Sequence, residues 1–351
     1  MSIDELISMI EPLDEAAMAA ALARQDQLTK PRGSLGRLEA LSIQLAGIYA
    51  QPLPRVQRPV VVTMAGDHGV VAEGVSAYPQ EVTPQMVLNF LHGGAAINVL
   101  ARHVGAEVVI VDMGVAADLP SHPGLVDRKV APGTENLTAG PAMTRQQALQ
   151  ALEAGATVAE AQLDRGMDML GLGEMGIGNT TPSTAIAAVL TGRPPAEIAG
   201  RGTGVDDQGL ERKVDALDRA LVINQPDPSD GLDVLAKIGG FEIGGIAGAM
   251  VAAAAHRCPV MVDGFISTAA ATIAVPLAPQ ARPYLIASHR SRERGHYAML
   301  EWLELEPLLD LDMRLGEGTG SALGFSLAQA ACKVLREMAT FQEAGVSDKE
   351  E

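Results

Sequence analysis

Short runs of apolar and β-branched residues alternate along this chain with longer stretches whose apolar positions recur at helical spacing. The short runs predict buried β-strands, and they lie at 59–64, 107–112, 167–172, 260–263 and 284–287. The longer stretches predict helices at 84–103, 144–164, 181–191 and 244–256. Because strands that alternate with helices form parallel sheets covered on both faces, we expect an α/β fold with its ligand site at the carboxyl ends of the strands.

The two ends of the chain have a helical pattern of their own. Residues 4–50 indicate helices with a Pro/Gly-rich break at 30–36, and the chain turns helical again after about residue 290. We therefore expect the two ends to build a small helical domain together. The predicted parts are an N-terminal helical arm (1–57), a large sheet domain with most of the functional site (58–291) and a C-terminal helical segment (292–351).

Charge and composition argue against several classes of protein. A net charge of −17 opposes binding to phosphate backbones, so no nucleic-acid partner is expected. Cys258 and Cys332 lie in apolar surroundings, which predicts reduced thiols in the cytoplasm. The N-terminus has no signal-peptide pattern. The apolar run at 244–255 is shorter than the roughly 18 to 20 residues that span a bilayer, so we expect no membrane segment.

One carboxylate stands among glycines where the last long helix is predicted to begin. Glu317 has Gly316 and Gly318 as neighbours, and Gly320 follows. Glycines let a substrate lie against the main chain, and we expect the free N–H groups of the helix to face this loop and keep Glu317 ionised. Taken alone, the pattern fits equally well a tight turn whose glutamate only favours the positive end of the helix.

A second glycine-rich loop, at 171–180, leads into another predicted helix. Thr181 is predicted to cap this helix and Pro182 to occupy its first position. Free N–H groups at a helix start bind anions, most naturally a phosphate. The glycines at 171, 173 and 176 also match the dinucleotide fingerprint weakly, and a purely structural turn is the other interpretation.

A third glycine loop, at 200–204, is followed by Lys213. This lysine either neutralises a bound phosphate or lies on a solvated helix face. Asp67 and His68 end the first predicted strand and either touch a ligand or stabilise their loop. The histidines and cysteines have no metal-ligand spacing, so neither a metal site nor a cofactor is expected.

Seven segments together resemble one family, the nicotinate-nucleotide:dimethylbenzimidazole phosphoribosyltransferases of cobalamin assembly. The segments are 28–39, 65–70, 171–182, 223–226, 262–265, 283–289 and 313–320. The resemblance spans nearly the whole chain. It implies a homodimer with a Rossmann-like large domain and a small helical one. It also implies transfer of phosphoribose from nicotinate mononucleotide to 5,6-dimethylbenzimidazole, with inversion from the β to the α anomer, to give α-ribazole 5′-phosphate and nicotinate.

The resemblance also implies roles for individual residues. Glu317 is the general base, and Glu174 is a ligand contact. From the chemistry we expect Glu174 to hold a ribose hydroxyl or to stabilise positive charge at the anomeric carbon. The other contacts on the phosphoribose and nicotinate side fall on Gly176, Asn179, Thr180, Gly202, Lys213, Ser291, Gly318 and Gly320. The base pocket falls near Tyr78, Met86 and Leu315.

The chemistry implied by the family needs neither metal nor acid catalysis at the leaving group, because the donor's pyridinium departs as a neutral ring nitrogen. As the acceptor attacks, its opposite N–H becomes acidic. We therefore expect a carboxylate of ordinary pKa to suffice at Glu317.

Two other functions compete with this one. An α/β oxidoreductase would use the glycines at 171, 173 and 176, but Pro182-Ser183 and the lack of a clear acidic ribose anchor at the expected distance argue against it. A non-catalytic nucleotide-sensing module would explain the phosphate loop but not the glycine frame of Glu317.

Overall fold

The computed structural model describes residues 1–202 and 204–347. These residues contain one six-stranded parallel sheet. Its strands are β1 (Pro59–Gly66), β2 (Glu107–Gly114), β3 (Leu125–Asp127), β4 (Met169–Met175), β5 (Val260–Val262) and β6 (Leu285–Ala287). The spatial order is β3-β2-β1-β4-β5-β6, the Rossmann-like order. Val61 of β1 lies between Val108 of β2 and Gly171 of β4. This confirms the predicted α/β fold with its Rossmann-like parallel sheet.

The helices surround the sheet. They are α1 (Ile3–Met9), α2 (Glu15–Gln27), α3 (Arg37–Tyr49), α4 (Val82–Leu91), α5 (Ala96–Val104), α6 (Arg145–Asp164), α7 (Thr180–Thr191), α8 (Pro195–Ile198), α9 (Asp207–Asn224), α10 (Gly231–Ile238), α11 (Phe241–Ala255), α12 (Phe265–Leu277), α13 (Arg294–Leu303), α14 (Thr319–Glu337) and α15 (Phe341–Ala344), with 3₁₀ helices at Gly69–Glu73 and Pro279–Tyr284.

Both faces of the sheet are covered, and alternate residues of β1 reach opposite layers. Val60, Val62 and Met64 pack into the core that contains α6, α11 and α12. Val61 and Ala65 pack into the core that contains α3, α5 and α14. Side chains of successive strand residues point to opposite faces, so this alternation follows directly from strand geometry. The buried apolar runs of the sequence therefore correspond to strands without a solvent face.

Helices α6 and α11 approach each other closely because glycines line their contact. A Cβ on Gly155 would lie 1.8 Å from the carbonyl oxygen of Gly245, and one on Gly248 would lie 1.9 Å from that of Leu152. Every residue of α11 is buried. The small-residue run that the sequence shows at 244–255 is thus a buried core helix, and no helix among the described residues is long and apolar enough to cross a membrane.

Two elements differ from the prediction. The expected helix at 84–103 is two helices, α4 and α5, because Gly93 takes a φ of 75° between them. This break creates a second helix start, at α5, beside the functional site. The short strand β3 had no apolar run to signal it, since its three residues are half-buried or exposed.

The two ends of the chain meet in space. The Arg24 guanidinium donates to the Leu335 carbonyl over 2.7 Å, and Leu28 forms a bridge with Thr340. Helices α2 and α3 pack with α14, whereas Ile3 and Leu6 of α1 belong to the core that contains α11. The boundaries 1–57, 58–291 and 292–351 stay a prediction.

Candidate active site

The carboxyl ends of β4, β5 and β6 border a cavity of about 510 Å³. It lies where the strand order reverses around β1 and β4, the place where open α/β sheets bind ligands. Most of the predicted site residues line it: Tyr78, Met86, Glu174, Gly176, Asn179, Thr180, Gly202, Ser291, Leu315 and Glu317. Lys213, Gly318 and Gly320 lie behind its wall. The tertiary fold thus brings three separate glycine loops to one cavity.

Glu317 reaches this cavity from a left-handed backbone conformation, with a φ of 63°. Its carboxylate Oε2 accepts a hydrogen bond from the backbone N–H of Ile97, in the first turn of α5, over 3.3 Å. Among the described residues, no hydrogen bond engages its other oxygen. Burial raises the pKa of Glu317 and the Ile97 N–H opposes that shift. That a carboxylate of ordinary pKa would suffice for the chemistry stays a prediction, and burial makes Glu317 a stronger base than that minimum.

The start of α14 is capped by Asp263, from the end of β5. Asp263 Oδ1 accepts from the N–H groups of Gly320 and Ser321, over 2.6 and 3.2 Å, and Oδ2 accepts from Gly318 over 3.2 Å. The prediction that these free N–H groups face the glycine loop and stabilise Glu317 is therefore wrong. Asp263 occupies the positive end of α14, while Glu317 takes its helix-end hydrogen bond from α5.

Glu174 is buried against the same loop. A Cβ on Gly316 would lie 2.0 Å from Glu174 Oε1, so only glycine leaves room for this carboxylate. The Asn179 amide donates to Glu174 Oε2. Burial, reinforced by the nearby carboxylates of Asp263 and Glu242, raises the pKa of Glu174 to about 8 in spite of the Asn179 hydrogen bond. Glu174 is thus mostly protonated at neutral pH.

The glycines of β4 serve packing rather than a dinucleotide loop. A Cβ on Gly171 would lie 2.6 Å from the ring of Phe325 in α14, and one on Gly173 would lie 2.2 Å from the Glu317 carbonyl oxygen. Both residues stand inside the strand, ahead of the loop. Helix α7 then begins at Thr180, with Asn179 and not Thr181 at the cap position. The predicted Thr181 cap and Pro182 start are therefore wrong, since the helix begins two residues earlier, and the Asn179 side chain bonds Glu174 instead of capping the helix.

Lys213 is buried behind the loop that joins Gly176 to Thr180. Its Nζ donates to Thr180 Oγ1 over 2.8 Å and to the Gly200 carbonyl over 3.3 Å, which ties the loop at 200–202 to the start of α7. Burial lowers the pKa of Lys213 to about 8, against the favourable charge of Glu293. The solvated-face interpretation is wrong, since the side chain is inaccessible.

The other end of the cavity is apolar and open. Tyr78 and Leu315 are 53% and 56% exposed and form its rim, while Met86 is half-buried. The wall also contains Val82 and Ile177. This end of the wall is therefore apolar, whereas the wall near Asn179 and Thr180 is polar.

Comparison with known proteins identifies the family of this site. The family model described as Phosphoribosyltransferase matches residues 10–346. The nicotinate-nucleotide–dimethylbenzimidazole phosphoribosyltransferase of Roseiflexus sp. (strain RS-1) is 64% identical over 349 residues, 99% of each chain. The chain belongs to the nicotinate-nucleotide–dimethylbenzimidazole phosphoribosyltransferase family. It is therefore an enzyme that acts on small molecules.

Further members of the phosphoribosyltransferase family agree in length and in structure. The enzyme of that name from Chloroflexus aggregans is 64% identical over 347 residues, covering 99% of this chain and 98% of its own. A crystal structure of the enzyme from Thermus thermophilus superimposes with a TM-score of 0.91 at 49% identity, covering 96% of this chain and 100% of its own. The family resemblance inferred from the seven sequence segments is confirmed.

Several residues at the phosphoribosyltransferase site were not among the predicted contacts. Asp263 and Glu293 line the cavity. An Asp-Gly pair at the end of an apolar run marks Asp263 in the sequence, but the three N–H groups it binds are 55 to 58 residues away. Glu293 has no local signal. Its carboxylate contacts Gly200, since a Cβ there would lie 1.8 Å from Oε2.

Asp67 and His68 are buried and lie outside the cavity lining. His68 Nε2 bonds Glu242 Oε1 over 2.8 Å, with both side chains fully buried, and the Glu242 charge raises the pKa of His68 against its desolvation. Of the two interpretations, the structure favours the loop-stabilising pair. Cys258 and Cys332 are free and buried, as predicted. Among the described residues, no group of three or more acidic, histidine or cysteine side chains is arranged to hold a metal ion.

The raised pKa of Glu174 leads to a prediction about stability. A carboxyl whose pKa is about 8 folded and near 4.5 unfolded contributes stability below pH 4.5 that is lost as the pH rises to 8. Glu174→Gln removes this loss. We expect the wild type to lose on the order of 1 to 4 kcal/mol more than the variant between pH 5 and 8.5.

Chemical denaturation at a series of pH values measures this difference. Glu211→Gln, at an exposed glutamate on α9, is the control and should follow the wild type. Parallel curves for the wild type and Glu174→Gln would show that Glu174 titrates normally in the folded protein.

Proposed function

We propose that this enzyme transfers phosphoribose from nicotinate mononucleotide to 5,6-dimethylbenzimidazole, with inversion at the anomeric carbon, giving α-ribazole 5′-phosphate and nicotinate. The observation that carries the proposal is a single cavity with Glu317 in its wall, an apolar open end and a lysine-backed loop at the other end. In this arrangement the apolar end suits a heterocycle and the lysine-backed end suits a phosphorylated sugar. Glu317 lies between them as the proton acceptor.

The phosphate of the donor is proposed to bind at Gly176, Asn179, Thr180, Gly202 and Ser291. Lys213 supports this end through Thr180 and Gly200, so it supplies positive charge without being exposed to solvent. The Ser291 N–H is already donated to His296 Nδ1, which leaves the Ser291 hydroxyl as its donor to a ligand. Gly318 and Gly320 contribute indirectly, because their N–H groups bind Asp263.

The acceptor is proposed to lie between Tyr78, Met86 and Leu315, with one ring nitrogen toward the donor and the other toward Glu317. The unprotonated nitrogen attacks the anomeric carbon while the bond to the nicotinate nitrogen breaks, and its electron pair leaves with nicotinate. The opposite N–H of the acceptor gives its proton to Glu317. Because the leaving ring nitrogen becomes neutral, no general acid is required.

The geometry suggests one role for Glu174. It is mostly protonated at neutral pH, its Oε2 accepts from Asn179, its carboxyl also hydrogen-bonds to the backbone of Glu317, and the residue lines the cavity. We assign it a hydrogen bond to a ribose hydroxyl. Glu174 could stabilise the oxocarbenium-like transition state by its negative charge only if donor binding first removed the proton from its carboxyl group.

The proposal extends to the form in which the enzyme works. We propose a cytoplasmic homodimer, with the two chain ends forming the small helical domain, and no nucleic-acid partner. The net charge of −17 supports the absence of a nucleic-acid partner. The contact of Arg24 with Leu335 supports a helical domain built from both chain ends. Sedimentation velocity of the purified protein tests the dimer, and a single monomeric species at micromolar concentration would contradict it.

Incubation with nicotinate mononucleotide and dimethylbenzimidazole in the presence of a chelator tests the reaction. Mass spectrometry should detect a riboside phosphate and nicotinate in equal amounts, and NMR should assign the α configuration. A β product would contradict inversion. No product at all would overturn the proposed function, and would favour an oxidoreductase or a sensing module if nucleotide binding were still observed.

Lys213→Met should weaken donor binding by about 10- to 100-fold, because it removes the positive charge behind the phosphate site together with the charged hydrogen bonds to Thr180 and Gly200. Because the lysine has a pKa of about 8 and must be protonated to favour a phosphate, donor affinity of the wild type should fall as the pH rises above 8. Isothermal titration with nicotinate mononucleotide measures both effects.

Lys333→Met, at an exposed lysine on α14, is the matched control and should bind the donor like the wild type. Equal donor affinity in Lys213→Met and the control would remove Lys213 from the phosphate site.

A further inference from the structure

We propose that Asp263 is the positioning residue of the reaction, because its carboxylate holds the loop at 316–320 that presents Glu317 to the acceptor. This inference rests on the proposed function and goes beyond its list of contacts. Asp263 borders the cavity, and in this role it acts through another residue.

The hydrogen bonds of Asp263 converge on one short segment. Its two oxygens accept from the N–H groups of Gly318, Gly320 and Ser321 over distances of 2.6 to 3.2 Å. The residue is 2% exposed. The N-cap position of α14 is Gly318, which has no side chain to supply this cap. A residue at the end of β5 therefore performs the capping that an adjacent side chain usually performs.

The loop needs such support because its backbone is unfavourable. Gly316, Glu317 and Gly318 have φ angles of 82°, 63° and 95°, so three successive residues lie in the left-handed region. For a residue with a Cβ this conformation costs free energy and persists only where the surroundings impose it. Asp263 binds the N–H of the residue directly after Glu317, which restrains the peptide group that orients the glutamate side chain.

Other contacts hold the opposite side of the loop. Thr63 Oγ1 donates to the Glu317 carbonyl over 3.0 Å, and Thr319 Oγ1 donates to the Gly316 carbonyl over 2.8 Å. These bonds satisfy carbonyl groups, whereas the side chain of Asp263 binds the N–H groups of Gly318, Gly320 and Ser321, and the backbone of Glu317 itself hydrogen-bonds to Glu174. A Cβ on Gly320 would lie 2.7 Å from Asp263 Oδ1 and 2.0 Å from His289 Nδ1, so the close approach of Asp263 also requires glycine there.

Two other roles for Asp263 are compatible with its burial at the wall of the cavity. It either contacts the substrate itself or serves only to stabilise α14. A positioning role differs from both in one respect, because it has an effect on the rate only while Glu317 is present as the base. The dependence of one substitution on the other therefore separates the three roles.

A double-mutant cycle of Asp263→Asn and Glu317→Gln tests the proposal on the full-length protein. The rate of α-ribazole phosphate formation is measured in single turnovers at saturating donor, with the donor Kd and the Tm of each variant. Asp263→Asn keeps the side-chain shape but replaces one acceptor by a donor facing an N–H group. We expect it to slow transfer on the order of 10²-fold, as small displacements of a catalytic group do. The donor Kd should stay within about twofold, the scatter of independent sites.

In the Glu317→Gln background we expect Asp263→Asn to slow transfer by less than about threefold, since the residue it positions is already disabled. Ser321→Ala is the control. It removes the bonds from the Ser321 hydroxyl to the Leu172 and Met261 carbonyls, which lowers the Tm but should change the rate equally in both backgrounds.

Asp263→Glu covers the case in which the asparagine variant does not fold, because it keeps the charge but displaces the loop, and the same pattern is expected. A similar slowing by Asp263→Asn with and without Glu317 would overturn the positioning role, as would a rate unchanged by either substitution at 263. Absence of product from the wild type would overturn the proposed function together with this inference, whereas product with independent effects would overturn the inference alone.

Discussion

Glu317→Gln should slow phosphoribose transfer by a factor on the order of 10² to 10⁴, the usual loss when a general base is removed. The glutamine keeps the hydrogen bond from the Ile97 N–H to a side-chain oxygen, so folding should change little. Donor affinity should also persist, because the proposed phosphate site is built on Thr180, Gly202 and Ser291. Rapid-quench kinetics with mass-spectrometric detection of the product measure the rate.

The pH dependence gives a second readout for Glu317. Burial raises the pKa of Glu317, and a general base must be ionised, so the rate of the wild type should fall as the pH falls through a value above the ordinary glutamate range. Glu317→Gln should lack this acidic limb. Glu306→Gln, at a glutamate whose side chain is 80% exposed, is the control and should keep both the rate and the limb. A rate near that of the wild type in Glu317→Gln would exclude Glu317 as the base.

Gly173→Ala should cause the second largest effect, and it acts on the backbone. The new Cβ would lie 2.2 Å from the Glu317 carbonyl oxygen and 2.8 Å from the Gly318 nitrogen, both main-chain atoms that cannot rotate away. Such overpacking typically costs about 1 to 3 kcal/mol, which should lower the Tm by several degrees. Displacement of the loop should also slow transfer by on the order of 10²-fold.

Gly140→Ala is the matched control for this substitution, because nothing lies within 4 Å of a Cβ at Gly140 and its backbone conformation is open to alanine. Differential scanning calorimetry and the transfer assay on both variants measure the difference. Equal Tm and equal activity in the two would show that β4 and the Glu317 loop can separate without cost.

The strands show what an isolated sequence can predict here. All but one of the sheet strands are apolar and largely buried, so they stand out from their flanking turns, and each of these lies where the alternation placed it. Strand β3 is the exception, since its residues are half-buried or exposed and carry no apolar run. The helix predicted at 84–103 failed for a related reason: its apolar spacing continues across Gly93, so only the backbone conformation reveals the break.

The site followed the same rule. Glycine loops, a helix start and one glycine-framed glutamate are local signals, and each marked a segment that borders the cavity. Lys213 was ambiguous, because a lysine among charged residues on a helix usually faces water, and only the packing of α9 against α7 buries it. The role of Asp263 was missed, because the N–H groups that it binds are distant from it in the chain.

By itself the sequence determined the α/β class, the family and the segments that meet at the cavity, because these depend on periodicity and on local motifs. Only the tertiary structure decided which helix start donates hydrogen bonds to which carboxylate. N–H groups at the start of α14 bind Asp263, and the Ile97 N–H at the start of α5 binds Glu317. Ile97 and Glu317 are 220 positions apart in the chain. The pKa of Glu317 depends on its burial and on the hydrogen bond from Ile97, and both come from residues distant in the chain. No local sequence pattern therefore contains that information.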